Sequence, residues 1–406
     1  MSRRLLGDRS FQRLWAAHTT SCFGDALTSL ALLLITLRLT GSTVAVAGTA
    51  IAIAMPQLLV GLLAGVMVDR WSRRRVMIVS DLVRAGLVLG FIAVISNERL
   101  WLLYLLAFTQ SAVGTFFSPA RATFLADILP SDQLLPANSF FEMSRVVAGV
   151  AGVAGAGFLA SLGDLRVVFV VDSITFLVSA GLVALVPESA RLRDGPRGRV
   201  RADLVTGLAL IVRSRTLIGV VTAGAVAMFG LGAVNVLLVP FVVGVLGASE
   251  AWFGALEAAM VAAMVVSGGL VAAAAGRLRP SRLISVGTVG IGISVGGIGF
   301  AHQVWQLLPL LFCAGAWITP LQASVTTLLQ TTVPAQARAR TQAAFNTVVS
   351  GANLASILLA GVAAAAIGIR DTFVAAAVIV ACAGVAAHLL FRSARSASST
   401  PIQQSG

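Results

Sequence analysis

The feature that most constrains this sequence is a series of apolar runs, each about twenty residues long, recurring along nearly the whole chain. An apolar helix of about 20 residues spans the hydrocarbon core of a bilayer. Only 11% of the residues are charged, whereas soluble domains carry about 25%. Because so few charges cannot coat a large soluble protein, we predict an all-α integral membrane protein.

The polar interruptions divide the apolar sequence into twelve predicted spans. They cover residues 14–37, 44–68, 76–96, 100–121, 137–161, 166–187, 216–246, 251–275, 281–300, 304–329, 341–367 and 371–391. The longest polar stretch separates them six and six. We therefore predict a six-helix bundle over 1–187, a cytoplasmic central loop over 188–215, a second bundle over 216–391 and a disordered cytoplasmic tail over 392–406.

The arginines orient these spans. All 29 basic residues are arginine. Twenty-two lie in segments that are cytoplasmic if both termini are inside, and four lie in external segments: Arg38, Arg99, Arg166 and Arg370. The other three, Arg84, Arg121 and Arg145, lie near or inside predicted helices. This asymmetry follows the positive-inside rule, so the net charge of +13 reflects topology rather than nucleic-acid binding. We expect a multi-pass protein of a bacterial inner (plasma) membrane with both termini cytoplasmic.

Several kinds of chemistry are disfavoured by residue usage. Without lysine the chain has no P-loop of the GxxxxGK[ST] type and no Schiff base. The cysteines and histidines lack metal-ligand or disulfide spacing, so we expect no metal, no bound cofactor and no enzyme activity. They are Cys22, Cys313, Cys382, His18, His302 and His388.

The two halves resemble each other at a nearly constant offset. Phe23-Gly24 matches Phe229-Gly230, and Arg70 with Arg75 matches Arg277 with Arg282. Because six spans is an even number, the halves are predicted to be parallel repeats.

A loop motif between spans two and three identifies a family resemblance. The segment Gly65-Val-Met-Val-Asp69-Arg70-Trp-Ser-Arg73-Arg74-Arg75 resembles the G-x-x-x-D-R-x-x-R-R signature of the major facilitator superfamily. Segments such as Phe11-Gln-Arg-Leu-Trp15, Gly24-Asp25 and Pro119-Ala-Arg121 resemble its macrolide-efflux and enterobactin-exporter branch. The resemblance implies a lipid-embedded secondary transporter, taken here as a monomer, that moves a small molecule by alternating access.

Asp25 is the first candidate functional residue. It lies near the middle of span one, where an acid costs about 2.5–3.5 kcal/mol on insertion scales. Two roles are open: proton coupling, or a carboxylate in an ion pair that only fixes helix packing.

Further polar residues are expected to line the cavity of this fold. Glu142 and Arg145 share one face of span five and pair either with each other or, through Arg145, with Asp25. Glu257 is an acid of the second half that either acts in the cavity or reaches external water. Asn235 and Asn346 either line the cavity or bond between helices.

The resemblance implies a cytoplasmic gate. Asp69, with Arg121 as a candidate partner, is expected to latch the two halves, while Gly65, Arg70, Arg73 and Arg74 complete the motif. The alternative for the arginine run is a topology signal that contacts lipid headgroups.

The remaining intramembrane charges, Asp81, Arg84 and Asp172, are predicted to be packing or boundary charges on peripheral helices. Glycine-rich tracts in spans five, eight and nine are predicted to permit close helix approach.

These expectations favour proton-driven export of amphipathic small molecules such as drugs, a secondary metabolite or a siderophore, with the proton gradient as energy source. The alternatives are an importer or a lipid-type transporter on the same fold. More remote are a membrane-embedded enzyme and a non-transporting sensor, since the sequence shows no acidic pair and no appended soluble domain.

Overall fold

The computed structural model describes residues 7–61, 71–97, 99–187, 200–274, 279–334 and 337–398. These ranges are helical apart from turns. The helices are α1 (Arg9–Thr40), α2 (Thr43–Leu59), α3 (Arg73–Asn97), α4 (Leu100–Gly114), α5 (Phe117–Ile128), α6 (Ser131–Ser161), α7 (Arg166–Ala184), α8 (Val200–Arg213), α9 (Arg215–Val239), α10 (Trp252–Ala273), α11 (Pro280–Gly299), α12 (Leu307–Thr332), α13 (Arg338–Ile367) and α14 (Ile369–Ser398).

The predicted membrane-spanning architecture is confirmed. Among the described residues, eleven helical stretches are long and apolar enough to cross a membrane, and α2 is a shorter apolar helix. In lipid each backbone N–H and C=O must be bonded within the protein, which helices achieve. The fourth span consists of α4 and α5, which are separated at Thr115 and Phe116. A continuous helix would place the Pro119 ring against the Thr115 carbonyl.

The chain divides into two compact units. The first comprises Met1–Arg197 together with Val242–Ala258, and the second comprises Gly198–Phe241 with Ala259–Gly406. In the first unit α1 packs against α6 and α7, and α3 packs against α7. In the second unit α9 packs against α13 and α14, and α11 packs against α12 and α14.

Three segments differ from the sequence prediction. Helix α8 (Val200–Arg213) lies within the predicted central loop, and α14 extends to Ser398, beyond the predicted end at 391. Residues 399–406 lie outside the described residues. The segment Val242–Ala258, assigned from sequence to the second bundle, belongs to the first unit. There Glu250 accepts a hydrogen bond from Arg38 at 2.7 Å.

Local sequence signals set the helix boundaries. The Asp8 carboxylate accepts hydrogen bonds from the backbone of Ser10 and Phe11, which caps α1. The helix ends where Gly41 takes φ = 62°, a left-handed conformation that glycine adopts at no steric cost. The Ser42 hydroxyl then caps α2 by accepting from the Ala45 N–H. A polar turn of a few residues thus reverses the chain between two apolar helices.

Glycine permits the close contact between α1 and α6. A Cβ atom built on Gly152 would lie 2.5 Å from the Phe23 carbonyl oxygen and 2.7 Å from the Ala26 Cβ. In the second unit, a Cβ on Gly292 would lie 3.1 Å from the Ala377 carbonyl oxygen of α14. The predicted role of the glycines in spans five and nine is confirmed at these positions. In span eight, a Cβ added to Gly268 would lie 3.2 Å from the Thr319 Cγ2 atom, whereas one added to Gly269 would meet no atom within 4 Å.

The two glycines of α6 provide a matched test of this packing. Gly152→Ala should lower the free energy of unfolding by about 1–3 kcal/mol, because an added atom in a filled interface forces backbone shifts. Gly149→Ala in the same helix meets nothing within 4 Å and should leave stability unchanged or raise it through better helix propensity. Thermal unfolding in detergent measures both. Equal shifts in the two variants would contradict the proposed contact.

Candidate functional site

Asp25 of α1 forms an ion pair with Arg84 of α3. The Arg84 Nη2 atom donates to the Asp25 Oδ1 atom. The Asp25 side chain is 41% exposed, whereas Arg84 is only 6% exposed. The accessible carboxylate therefore holds a cation that is buried within the first unit.

Asp172 of α7 lies on the buried side of the same contact. It is fully buried and accepts hydrogen bonds from the hydroxyls of Thr28 at 2.5 Å and Thr175 at 3.1 Å. A Cβ at Gly24 would clash with both Asp172 and Thr175, so only glycine allows α1 this close to the acid. Asp172 also interacts electrostatically with Asp25 and with Arg84.

Asp81 is the third acid and the least well bonded. It is fully buried, and within the described part of the chain neither of its carboxyl oxygens has a hydrogen-bond partner. Its ion-pair contact is with Arg84, whose Nη1 atom lies 3.9 Å from the Asp81 Oδ1 atom. Ser179 of α7 is a neighbouring hydroxyl.

Arg84 is held from several sides. Its guanidinium carbon lies 4.1 Å from the centre of the Phe176 ring, a favourable cation–π geometry. A Cβ at Gly114 of α4 would lie 3.2 Å from the same carbon, so this glycine leaves room for the cation. We call Asp25, Asp81, Arg84 and Asp172 the Arg84 cluster. One cation faces three acids there, and each uncompensated buried ion costs several kcal/mol.

The cluster corrects the sequence-based placement of three residues. The sequence predicts packing or boundary charges on peripheral helices for Asp81, Arg84 and Asp172. The structure buries all three, which excludes the boundary alternative, and places Arg84 between Asp25 and Asp81. A usable signal was present, because an arginine eight residues into a predicted span requires a nearby acid. The partner itself was not predictable, since Asp25 and Arg84 are 59 positions apart.

Glu142 and Arg145 of α6 pair with each other. The Arg145 Nε atom lies 3.1 Å from both Glu142 carboxylate oxygens, and both side chains are exposed. The sequence left open whether Arg145 pairs with Asp25, and the structure assigns Asp25 to Arg84 instead. In the same helix, Ser144 accepts a hydrogen bond from the Trp15 indole at 2.7 Å, and Phe140 stacks on the Trp15 ring with 5.1 Å between ring centres.

The other cavity candidates lie on α9, α10 and α13. Glu257 of α10 is half-buried in the first unit. Asn235 of α9 and Asn346 of α13 belong to the second unit and are exposed. The Asn346 amide oxygen accepts from Gln342 at 3.0 Å, one turn earlier.

Part of the predicted cytoplasmic gate can be located. Gly65, Asp69 and Arg70 lie outside the described residues. Arg73 forms a buried ion pair with Asp127 of α5 at 2.7 Å, which the sequence did not predict. Arg74 donates to the Ala184 carbonyl at the end of α7. The Arg121 guanidinium lies 4.5 Å from the centre of the Phe141 ring.

Breaking the buried Arg73–Asp127 pair and breaking the exposed Glu142–Arg145 pair should change the stability of the protein by different amounts. Asp127→Asn should lower the free energy of unfolding by about 3 kcal/mol, because it removes the negative charge from a buried ion pair. Glu142→Gln, in the exposed pair, should change it by less than about 1 kcal/mol. Thermal unfolding of the purified variants in one detergent compares them. A loss in Asp127→Asn no larger than in Glu142→Gln would refute the structural importance of the buried pair.

The fold places the chain in a class of solved transporters. It superposes with a TM-score of 0.76 on the POT family transporter PepTSo, at 12% identity over 96% of this chain and 98% of that one. It superposes with a TM-score of 0.74 on a bacterial homolog of the human lysosomal transporter Spinster, at 15% identity over 95% and 97%. These likenesses show the fold. That fold is the one shared by transporters of the major facilitator superfamily.

The particular family follows from the sequence. The family model MFS_3, described as a transmembrane secretion effector, matches residues 5–404, and the chain belongs to that family. It is 26% identical to the MFS-type transporter YfiS of Bacillus subtilis (strain 168), over 86% of this chain and 85% of that protein. It is 21% identical to macrolide efflux protein A of Streptococcus pyogenes, over 94% and 95%. The chain is therefore a multi-pass transporter of the bacterial plasma membrane.

Proposed function

We propose that this transporter exports amphipathic small molecules in exchange for protons. The observation that carries the proposal is the accessible Asp25 carboxylate within a membrane span, paired with the buried Arg84. Intramembrane acids are costly and mark proton or substrate pathways. The efflux direction is supported by the full-length similarity to macrolide efflux protein A.

Protonation of Asp25 provides the coupling step. A neutral carboxyl binds a guanidinium far more weakly than a carboxylate does. A proton on Asp25 therefore releases Arg84 and weakens the link between α1 and α3. We propose that this change biases the alternating-access equilibrium, since a bound proton shifts populations only by its different affinity for the two states.

Residues of α6 support an amphipathic substrate. The helix carries an exposed carboxylate at Glu142 and the ring of Phe140, which stacks on Trp15. A carboxylate attracts a basic group, and aromatic faces attract cations as well as apolar groups, so α6 suits contact with a large apolar molecule that carries a basic group, such as a macrolide antibiotic. Glu257, Asn235 and Asn346 are proposed as further polar contacts, and Asp69 with Arg121 as the cytoplasmic latch.

Everted membrane vesicles test the proposal. With an imposed pH gradient, acid inside, vesicles containing the wild-type protein should accumulate a radiolabelled macrolide. Asp25→Asn should reduce accumulation to the level of vesicles without the protein, because the coupling carboxyl is gone.

The matched control is Asp164→Asn, which changes an exposed acid that caps the backbone of Arg166. This variant should accumulate substrate as the wild type does. Full gradient-driven accumulation by Asp25→Asn, at equal amounts of protein in the membrane, would eliminate Asp25 as the coupling group. If wild-type vesicles also show no gradient-driven uptake of any amphipathic cation in a panel, proton-coupled export itself is wrong.

A further inference from the structure

The structure assigns a second proton-binding site, which no sequence motif marks, to Asp81 of α3. We propose that Asp81 is a neutral acid while Arg84 is bound to Asp25, and that Arg84 moves between the two carboxyls as the proton does. This inference deepens the proposed function, on which its role in transport rests.

The Arg84 cluster contains more acidic groups than basic ones. Three carboxyls and one guanidinium lie together there, and of these four side chains only that of Asp25 is partly exposed. If all three acids were ionised, two negative charges would be left uncompensated. An isolated buried charge is so unfavourable that such a group takes up a proton instead. At least one acid of the cluster must therefore hold a proton.

The hydrogen bonds show which acid it is. Asp25 accepts from Arg84, and Asp172 accepts from two hydroxyl groups, those of Thr28 and Thr175. Donors of this kind stabilise the ionised form. Asp81 is fully buried, and its one neighbouring hydroxyl, that of Ser179, interacts with it but lies outside hydrogen-bonding geometry for either carboxyl oxygen within the described residues. It is the acid for which ionisation is most costly.

Other charges near α3 do not alter this assignment. The helices packed most extensively against α3 are α4, α5 and α7, and α1 meets it through the Asp25–Arg84 pair. Outside the cluster, the described titratable groups of α4, α5 and α7 are Tyr104, Arg121, Asp127 and Arg166, and those of α1 are Arg9, Arg13, His18, Cys22 and Arg38. Tyr104 bonds to the Ala45 carbonyl, Asp127 pairs with Arg73, and Arg121 lies over Phe141. The charged groups that act on Asp81 are Arg84 and Asp25.

The position of Arg84 links the two carboxyls. Its Nη2 atom bonds to Asp25, while its Nη1 atom lies 3.9 Å from an Asp81 oxygen. When Arg84 turns to Asp81, the O–H bond of Asp81 breaks and an O–H bond forms on Asp25. Arg84 keeps its charge and the number of protons is conserved. One proton is thus exchanged between a sealed acid and an accessible one.

Infrared spectroscopy of the purified, reconstituted protein tests the assignment without any substrate. At neutral pH the wild type, labelled with carboxyl-¹³C aspartate, should show the carbonyl band of a protonated aspartic acid, with a shift in D2O. Asp81→Asn should remove that band, and the control Asp164→Asn should retain it. Asp25→Asn should weaken the band, because Arg84 is then free to bind and ionise Asp81.

The outcomes separate the parts of the proposal. Absence of the aspartic acid band in the labelled wild type overturns the site, and this result needs no variant to fold. A band that persists in Asp81→Asn assigns the proton elsewhere and overturns the site as well. A band unchanged in Asp25→Asn overturns the exchange through Arg84. The infrared experiment measures no transport. Its outcome therefore does not depend on whether the vesicle experiment supports proton-coupled export.

Discussion

The first unit depends on one interaction, the pairing of the buried Arg84 with the accessible Asp25. A cation in an apolar interior needs an anion, because the protein cannot replace the lost hydration otherwise. The surrounding residues serve this need. Gly114 leaves space for the guanidinium, Phe176 covers it, and Gly24 lets α1 approach Asp172. Without the pair, the close packing of α1, α3 and α7 would enclose unbalanced charge.

The Arg84 cluster contributes less to stability than to a response to protons. A buried ion pair is often no more stabilising than an apolar contact of the same size, so it is poor evidence for a structural purpose. An ion pair does, however, respond to a proton, which an apolar contact cannot. The cluster contains one partly exposed carboxyl, Asp25, and one buried carboxyl, Asp81. A proton-dependent transporter requires such a difference in exposure between two acids.

The fold was largely predictable because few backbone structures are stable in lipid. The apolar runs specified helices, and most predicted boundaries lie within a few residues of the observed ends. The break before Pro119 was missed because it falls inside one apolar run. Helix α8 was missed because its arginines indicated a loop.

The site was only partly predictable. The depth of Asp25 marked it as unusual, but its pairing depends on the rotation of α3 about its axis. No local sequence pattern fixes that rotation, so the sequence alone predicts only packing or boundary charges at Asp81 and Arg84.

The central claim is that substrate movement and proton movement are one event. It is tested most directly in proteoliposomes with a pH-sensitive dye, no imposed pH gradient and a gradient of transported substrate alone. The account predicts that protons move against the substrate flow, so that the interior acidifies as substrate leaves it. Substrate movement with no accompanying proton movement would contradict the account.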